Sequence, residues 1–183
     1  GAVNPALLPG DLVIGTMLAQ HDLGTITEAG FRSEAVSNPL NGRRNPVFFH
    51  SDPYLVDLAH RAARKTDFAR IEAEGKNRSP KVLRGVIVTG DVFVASEEKA
   101  SALGRDFGAE AVEMEGGAVA QVCFQHNVPF VVLRSMSDNA DNKALVNIQK
   151  FTRTAAMNSA ALTMAMLGIL AERDARTIPG VVR

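Results

Sequence analysis

The chain has 183 residues, 46% of them apolar, with 20 Lys plus Arg set against 20 Asp plus Glu. This length supports one domain over residues 1–183, with a core that buries roughly 70% of the unfolded surface. The apolar content excludes a disordered chain, and the charge balance leaves no basic footprint for nucleic acid.

Residues 1–11 (GAVNPALLPGD) lack the charged start and long apolar run of a secretory signal. Residues 12–16 (LVIGT) follow a Pro-Gly turn and predict a short buried strand. The polar triplet Gln20-His21-Asp22 is explained by a His–Asp hydrogen bond that fixes a loop, or belongs to a site. Residues 38–46 are rich in Asn, Gly, Pro and Arg and form a loop, with Arg43-Arg44 solvated in it. Asp52 and Pro53 open a helix as N-cap and first helical residue, with Leu55, Leu58, Ala59 and Ala62 as its inward stripe. Residues 72–81 are polar and predict a loop.

Residues 82–89 (VLRGVIVT) are β-branched, end at Gly90-Asp91 and predict a strand. Ser96 caps the next helix, with Glu97 and Glu98 in its first turn, where carboxylates suit the dipole. Residues 111–114 predict a short strand. Residues 118–125 predict a helix with Val119, Val122 and Cys123 inward, stopped by Asn127. The apolar run 130–133 fits a central strand covered on both faces. The longest apolar stretch, 155–171, is interrupted by Asn158, Ser159 and Thr163 and falls short of the ~20 residues of a membrane span. It reads as part of a largely buried helix over about residues 148–173, followed by a polar tail. Strands alternating with helices give an α/β fold with a mainly parallel or mixed sheet. Cys123 is the only cysteine, which excludes an internal disulfide and fits a reducing compartment. The four histidines are scattered, without metal-ligand spacing.

Residues 111–141 hold the densest chemistry. Both of their acidic clusters fall where strands end, which is where open α/β sheets bind ligands. On a regular strand Glu113 and Glu115 would share one face. Two carboxylates on one buried face are costly to desolvate, so the strand is expected to end here, with Gly116-Gly117 turning the backbone sharply. A carboxylate at a strand end can accept from both hydroxyls of a diol. Alternatively, one glutamate is a helix N-terminal charge. Both readings stand for Glu115, and Glu113 is the weaker site candidate. Farther on, Arg134 and Asp138 either pair with each other or leave Asp138 as a partly desolvated proton donor. Burial raises a carboxyl pKa and a neighbouring arginine lowers it, so the two readings predict opposite protonation states. Asp141 reads as a helix cap or loop anchor. Phe93 and Met114 are core residues by default, while Phe93 has the geometry to stack on a planar base as Val94 backbone groups read its edge.

Residues 112–123 (VEMEGGAVAQVC), 127–141 (NVPFVVLRSMSDNAD) and 88–96 (VTGDVFVAS) closely resemble the 5′-methylthioadenosine/S-adenosylhomocysteine nucleosidases of the purine nucleoside phosphorylase-like superfamily. The resemblance implies an α/β domain with a mixed, partly closed central sheet flanked by helices. It implies hydrolysis of the N-glycosidic bond of an adenine nucleoside to free adenine and a 5-thio-substituted ribose, with no metal or organic cofactor. It matches Asp138 to the general acid that protonates N7 of the purine, and Glu115 to the carboxylate that binds the ribose hydroxyls. Arg134 matches an arginine beside the ribose and the attacking water. Met114 packs on the sugar, Phe93 and Val94 meet the base, Ser137 orients the acid, and Val112 and Glu113 complete the substrate contacts. General acid help of this kind is worth ~10²–10⁴ in rate, and such an acid has to hold its proton near neutral pH.

The resemblance also implies a cytoplasmic homodimer whose neighbouring subunit covers the substrate's 5′ end, with no nucleic acid or membrane partner. It places Gly1 after roughly the first third of the family domain. Family members carry a water-activating glutamate in that first part, and residues 1–16 offer no substitute. The incomplete domain is expected to expose apolar edges and to associate. The nearest alternatives are a phosphate-dependent purine nucleoside phosphorylase and a non-catalytic purine-binding homologue.

Overall fold

The computed structural model describes residues 1–73 and 76–172. Strand β1 (Leu12–Gln20) is the axis of the central sheet. The hairpin β2 (Gly24–Thr27) and β3 (Gly30–Ser33) stands away from it, exposed. Then follow β4 (Phe48–His50), α1 (Pro53–Ala63), the hairpin β5 (Ile71–Ala73) and β6 (Lys76–Arg78), β7 (Val82–Thr89), α2 (Glu97–Phe107), β8 (Ala109–Glu113), α3 (Gly116–Gln125), β9 (Leu133–Ser135) and α4 (Ala144–Ala171).

β1 pairs in parallel with β7, and β7 in parallel with β8. Helix α2 makes the crossover that parallel neighbours need. The other edge of β1 is shared between two short antiparallel partners. β9 pairs with residues 12–14 and β4 with residues 17–19. The change of partner falls where the β1–β7 register slips between Gly15 and Met17. A bulge bends its strand and increases the twist, so the two partners meet one edge from different directions. The fold is therefore α/β, with a mixed, partly closed central sheet flanked by helices.

Period-two alternation divides the core. Leu12 and Ile14 join Leu58, Ala59 and Ala62 of α1 and Leu162 and Met166 of α4. Val13, Leu18 and Ile87 meet Ala120 of α3. Val86 and Val88 meet Ala100 and Leu103 of α2. Local signals set three of the helix ends. Asp52 accepts from the Leu55 N–H at 2.9 Å with Pro53 following, and Ser96 accepts from the Lys99 N–H at 3.3 Å ahead of Glu97 and Glu98. Asn127 takes a left-handed φ of 53° just past α3, which stops it.

Several expectations are corrected. β1 runs on to Gln20, past Thr16. The inward stripe of α1 also includes buried Val56, and Leu55 is only partly buried against the core. Residues 72–81 are not a plain loop: β5 and β6 pair there, anchored by buried Ile71 and by Arg78, which donates to Asp11 at 2.5 Å. α3 starts at Gly116 rather than Ala118 and turns Gly116, Gly117 and Ala120 inward, so Val119 and Val122 are exposed. Small residues face in because the start of this helix presses on the sheet, and Cys123 is half-buried against the core.

Of the apolar run 130–133 only Leu133 belongs to a strand, and β9 is half-buried at the sheet margin rather than central. α4 starts at Ala144 and is not largely buried: Phe151, Ala155, Asn158, Leu162 and Met166 face the core, while Leu145, Val146, Met157, Met164 and Leu167 face out. By length and composition α4 is apolar enough to cross a membrane. The polar tail from Arg173 lies outside the described residues.

Candidate active site

Strands β7 and β8 end side by side, with Thr89 opposite Glu113. α3 begins immediately after, and its first two residues must come close to both strands. A Cβ on Gly116 would stand 2.8 Å from Leu18, and one on Gly117 2.9 Å from Thr89. Glycine is needed there for close approach, and neither residue has a positive φ.

Glu113 is the hub of this corner. Its carboxylate accepts from the Glu115 N–H at 3.1 Å and from the Gly116 N–H at 2.7 Å, satisfying the first amides of α3. It also accepts from the Thr89 hydroxyl and from Arg134 Nη2. Thr89 Oγ1 in turn accepts from the Gly117 N–H at 2.6 Å. The side chain of Glu113 is only 9% exposed, whereas that of Glu115 is 68% exposed and meets Arg134 Nη2 at 2.7 Å. The acidic pair is thus divided: Glu113 is buried at the helix start, and Glu115 is free to reach outward with one cationic neighbour.

Asp138 is 1% exposed. Its Oδ2 accepts from the Ser137 hydroxyl at 2.7 Å and its Oδ1 from the Ala140 N–H at 2.8 Å. The Arg134–Asp138 pair does not form, because both glutamates hold the guanidinium instead. Asp141 accepts from the Lys143 N–H at 2.9 Å and anchors the loop into α4.

A cavity of about 170 Å³ opens between these elements. Phe93, Val94, Val112, Glu113, Met114, Glu115, Ser137 and Asp138, all expected from sequence, line it. Arg134 stands behind its two glutamates rather than in the wall. Phe93 and Met114 are exposed, so neither is the core residue that its type suggests, whereas Val94 is buried. Sequence reasoning missed Gly1, Val92 and Ile148 in the wall and Thr89 beneath it. Ile148 carries no distinguishing signal among the apolar residues of α4. Among the described residues, no Lys or Arg lines the cavity, and no group of three or more His, Cys, Asp or Glu is placed to hold a metal ion.

The loop after β7 is held from β1. Asp22 Oδ2 accepts from the Asp91 N–H at 2.6 Å. The expected His21–Asp22 bond is absent: both ring nitrogens of His21 are buried without a partner among the described residues. Burial pushes this imidazole below its ordinary pKa, with Asp22 opposing and Lys99 adding to the fall.

The phosphorylase superfamily model matches residues 1–168. A 5′-methylthioadenosine/S-adenosylhomocysteine nucleosidase from Haemophilus influenzae is 38% identical over 168 residues, covering 91% of this chain and 65% of that protein. The nucleosidase of the same name from Mycobacterium tuberculosis is 32% identical over 173 residues, covering 93% and 68%. The crystal structure of the Neisseria meningitidis nucleosidase in complex with methylthio-immucillin-A aligns with a TM-score of 0.74 at 38% identity, over 91% of this chain and 65% of that one. The native futalosine hydrolase of Helicobacter pylori aligns with a TM-score of 0.73 at 32% identity, over 92% and 64%. The chain spans 65% of the length of the Haemophilus relative. With the matched model and these identities, the chain belongs to the phosphorylase superfamily and, within it, to the 5′-methylthioadenosine/S-adenosylhomocysteine nucleosidase family.

Proposed function

We propose that the protein hydrolyses the N-glycosidic bond of adenine nucleosides bearing a 5′-thio substituent, of the methylthioadenosine and S-adenosylhomocysteine type, giving adenine and a thio-ribose. One observation carries this reading. A single cavity receives a buried carboxyl group, Asp138, and an outward carboxylate, Glu115, from different elements, beside the exposed ring of Phe93.

In this reading Asp138 is the general acid. It delivers a proton to purine N7 as the bond between C1′ and N9 breaks, water supplies the hydroxyl that closes the valence at C1′, and the proton that water sheds passes to solvent, from which the acid is recharged. Ser137 fixes the orientation of the acid through its 2.7 Å hydrogen bond. Glu115 accepts from the ribose hydroxyls, an arrangement suited to an acceptor-only group and a diol. Both glutamates oppose the positive charge that develops on the sugar. Arg134 holds Glu115 in place through its 2.7 Å contact. Met114 packs on the sugar, Phe93 stacks on the base, the Val94 backbone reads the base edge, and Val112 walls the pocket.

The similar proteins are named as nucleosidases, which supports water over phosphate as the acceptor. Adenine release from methylthioadenosine, measured with and without phosphate, tests this. Release that strictly requires phosphate makes the protein a phosphorylase, and adenine binding without any release makes it a non-catalytic binder.

The reading extends to one domain over residues 1–183 and to a cytoplasmic homodimer, without nucleic acid or membrane partners. Support for association comes from apolar side chains left exposed on and near α3, among them Val119, Val122, Phe124 and Val128. Support for a core rather than a membrane role for α4 comes from its buried face, where Asn158 Nδ2 donates to the Ala69 carbonyl at 3.1 Å. Light scattering that gives a monomer mass at micromolar concentration refutes the dimer.

A further inference from the structure

Residues 91–95 connect the end of β7 to α2 and carry Val92, Phe93 and Val94 into the cavity wall. Little holds them. At the near end the Gly90 N–H donates to the Glu113 carbonyl at 3.1 Å, and at the far end the Ser96 N–H donates to the Ala140 carbonyl at 3.0 Å. Among the described residues, one hydrogen bond ties residues 91–95 themselves to the rest of the chain, from the Asp91 N–H to Asp22 Oδ2 at 2.6 Å.

The bond is built from β1. The His21 N–H donates to the Thr89 carbonyl at 2.8 Å, extending the β1–β7 ladder by one step and setting Asp22 beside the loop. The His21 ring packs under Gly90, where a Cβ would collide with its Nε2 and Cε1 and lie 2.9 Å from Asp22 Oδ2. The ring makes no hydrogen bond of its own, so it acts here as filler that lets the turn sit close to the strand. Charge-assisted bonds from a backbone N–H to a carboxylate are short and directional, which suits a tether on a segment that is otherwise anchored only by the packing of Val94.

We propose that Asp22 is a positioning residue for the base subsite: its carboxylate holds the Asp91 amide and so presets the loop that carries Phe93 and Val94. The inference rests on the nucleosidase reading for the identity of the base. Without the tether the loop must be ordered at each binding event, and ordering a segment is paid for in affinity. Asp22 does not line the cavity, so the loss falls on base binding rather than on bond cleavage.

The test compares Asp22→Ala and Asp22→Asn in the protein, using adenine as the probe in calorimetry and methylthioadenosine in turnover. Asp22 is exposed, so both variants should fold with unchanged melting temperature. In Asp22→Ala the adenine Kd and the nucleoside KM rise about fivefold, the factor one lost hydrogen bond corresponds to, while kcat stays within twofold. In Asp22→Asn, whose amide oxygen still accepts from Asp91, both return to within about twofold of wild type. Hydrogen exchange on the ligand-free protein gives a readout independent of the base: residues 91–95 exchange faster in Asp22→Ala only. Unchanged exchange and unchanged adenine affinity in Asp22→Ala overturn the proposal. Equal damage in both variants also overturns it. A wild type that neither binds nor releases adenine overturns the nucleosidase reading, and exchange still decides whether Asp22 holds the loop.

Discussion

Replacing Asp138 by Asn removes a transferable proton at almost constant shape. The side chain is 1% exposed and is held by two donors, the Ser137 hydroxyl on Oδ2 and the Ala140 N–H on Oδ1. An asparagine oxygen can keep the Ala140 bond, and its NH₂ can donate to Ser137 Oγ, a hydroxyl that accepts as readily as it donates. The fold therefore loses little, about 1 kcal/mol for one reorganised buried hydrogen bond. The chemical loss is much larger. General acid catalysis contributes ~10²–10⁴ in rate, which is about 3–5.5 kcal/mol of barrier at ~1.4 kcal/mol per decade. Adenine release from methylthioadenosine at saturation should fall by at least a hundredfold, while adenine affinity and the urea midpoint stay near wild type. Turnover within tenfold of wild type, in a variant that melts normally, would show that Asp138 is not the acid.

Glu115→Gln should weaken substrates with intact ribose hydroxyls about tenfold in KM, and a deoxyribose analogue much less; equal loss on both removes the hydroxyl grip. Asp11→Ala should destabilise the protein by about 3 kcal/mol, read as a lower urea midpoint, because it strips Arg78 of its partner and leaves the Leu8 and Lys81 amides without their acceptor. A loss below about 1 kcal/mol would place this ion pair among those that contribute little.

His21 sets a pH dependence. Burial lowers its pKa in the folded state, whereas the unfolded ring protonates near 6.5. The stability it contributes is complete above pH ~6.5 and is lost as pH falls toward the folded value, with a slope of at most ~1.4 kcal/mol per unit. The wild-type midpoint should therefore drop more steeply than that of His21→Phe between pH 7 and 5; parallel curves refute this.

Features written in adjacent residues were legible in the sequence. Asp52-Pro53 and Ser96-Glu97-Glu98 carry their capping chemistry within one turn, and both helices begin as expected. β7 is a β-branched run closed by Gly90-Asp91, and its bounds match the pattern. What failed depends on distant partners. Residues 72–81 looked like a loop because their main anchor, the Arg78–Asp11 pair, joins positions far apart in the chain. The inward face of α3 was misassigned because apolar periodicity marks Val119 and Val122, while close approach to the sheet selects Gly116, Gly117 and Ala120. β9 looked central because it is apolar, yet it fills only the first half of an edge that β4 completes.

The acidic pair shows why site roles are harder to read than site positions. Residues 113 and 115 have the same side chain, and strand alternation alone would place both on one face. The chain turns into α3 between them, and that turn separates their surroundings. Glu113 falls where four donors converge, two amides of the helix start, the Thr89 hydroxyl and Arg134, so its lone pairs are committed to structure. Glu115 sits at the N-cap position but makes no capping bond, because Glu113 has already taken the first amide of the helix. Among the described residues its carboxylate is left with a single partner, Arg134, and open acceptor capacity toward the cavity. A ligand offering two hydroxyls meets a carboxylate that need not break a cap to receive them. The enclosed glutamate thus keeps the exposed one available, and replacing Glu113 should disturb the proposed ribose grip through the position of Arg134 as well as through the start of α3.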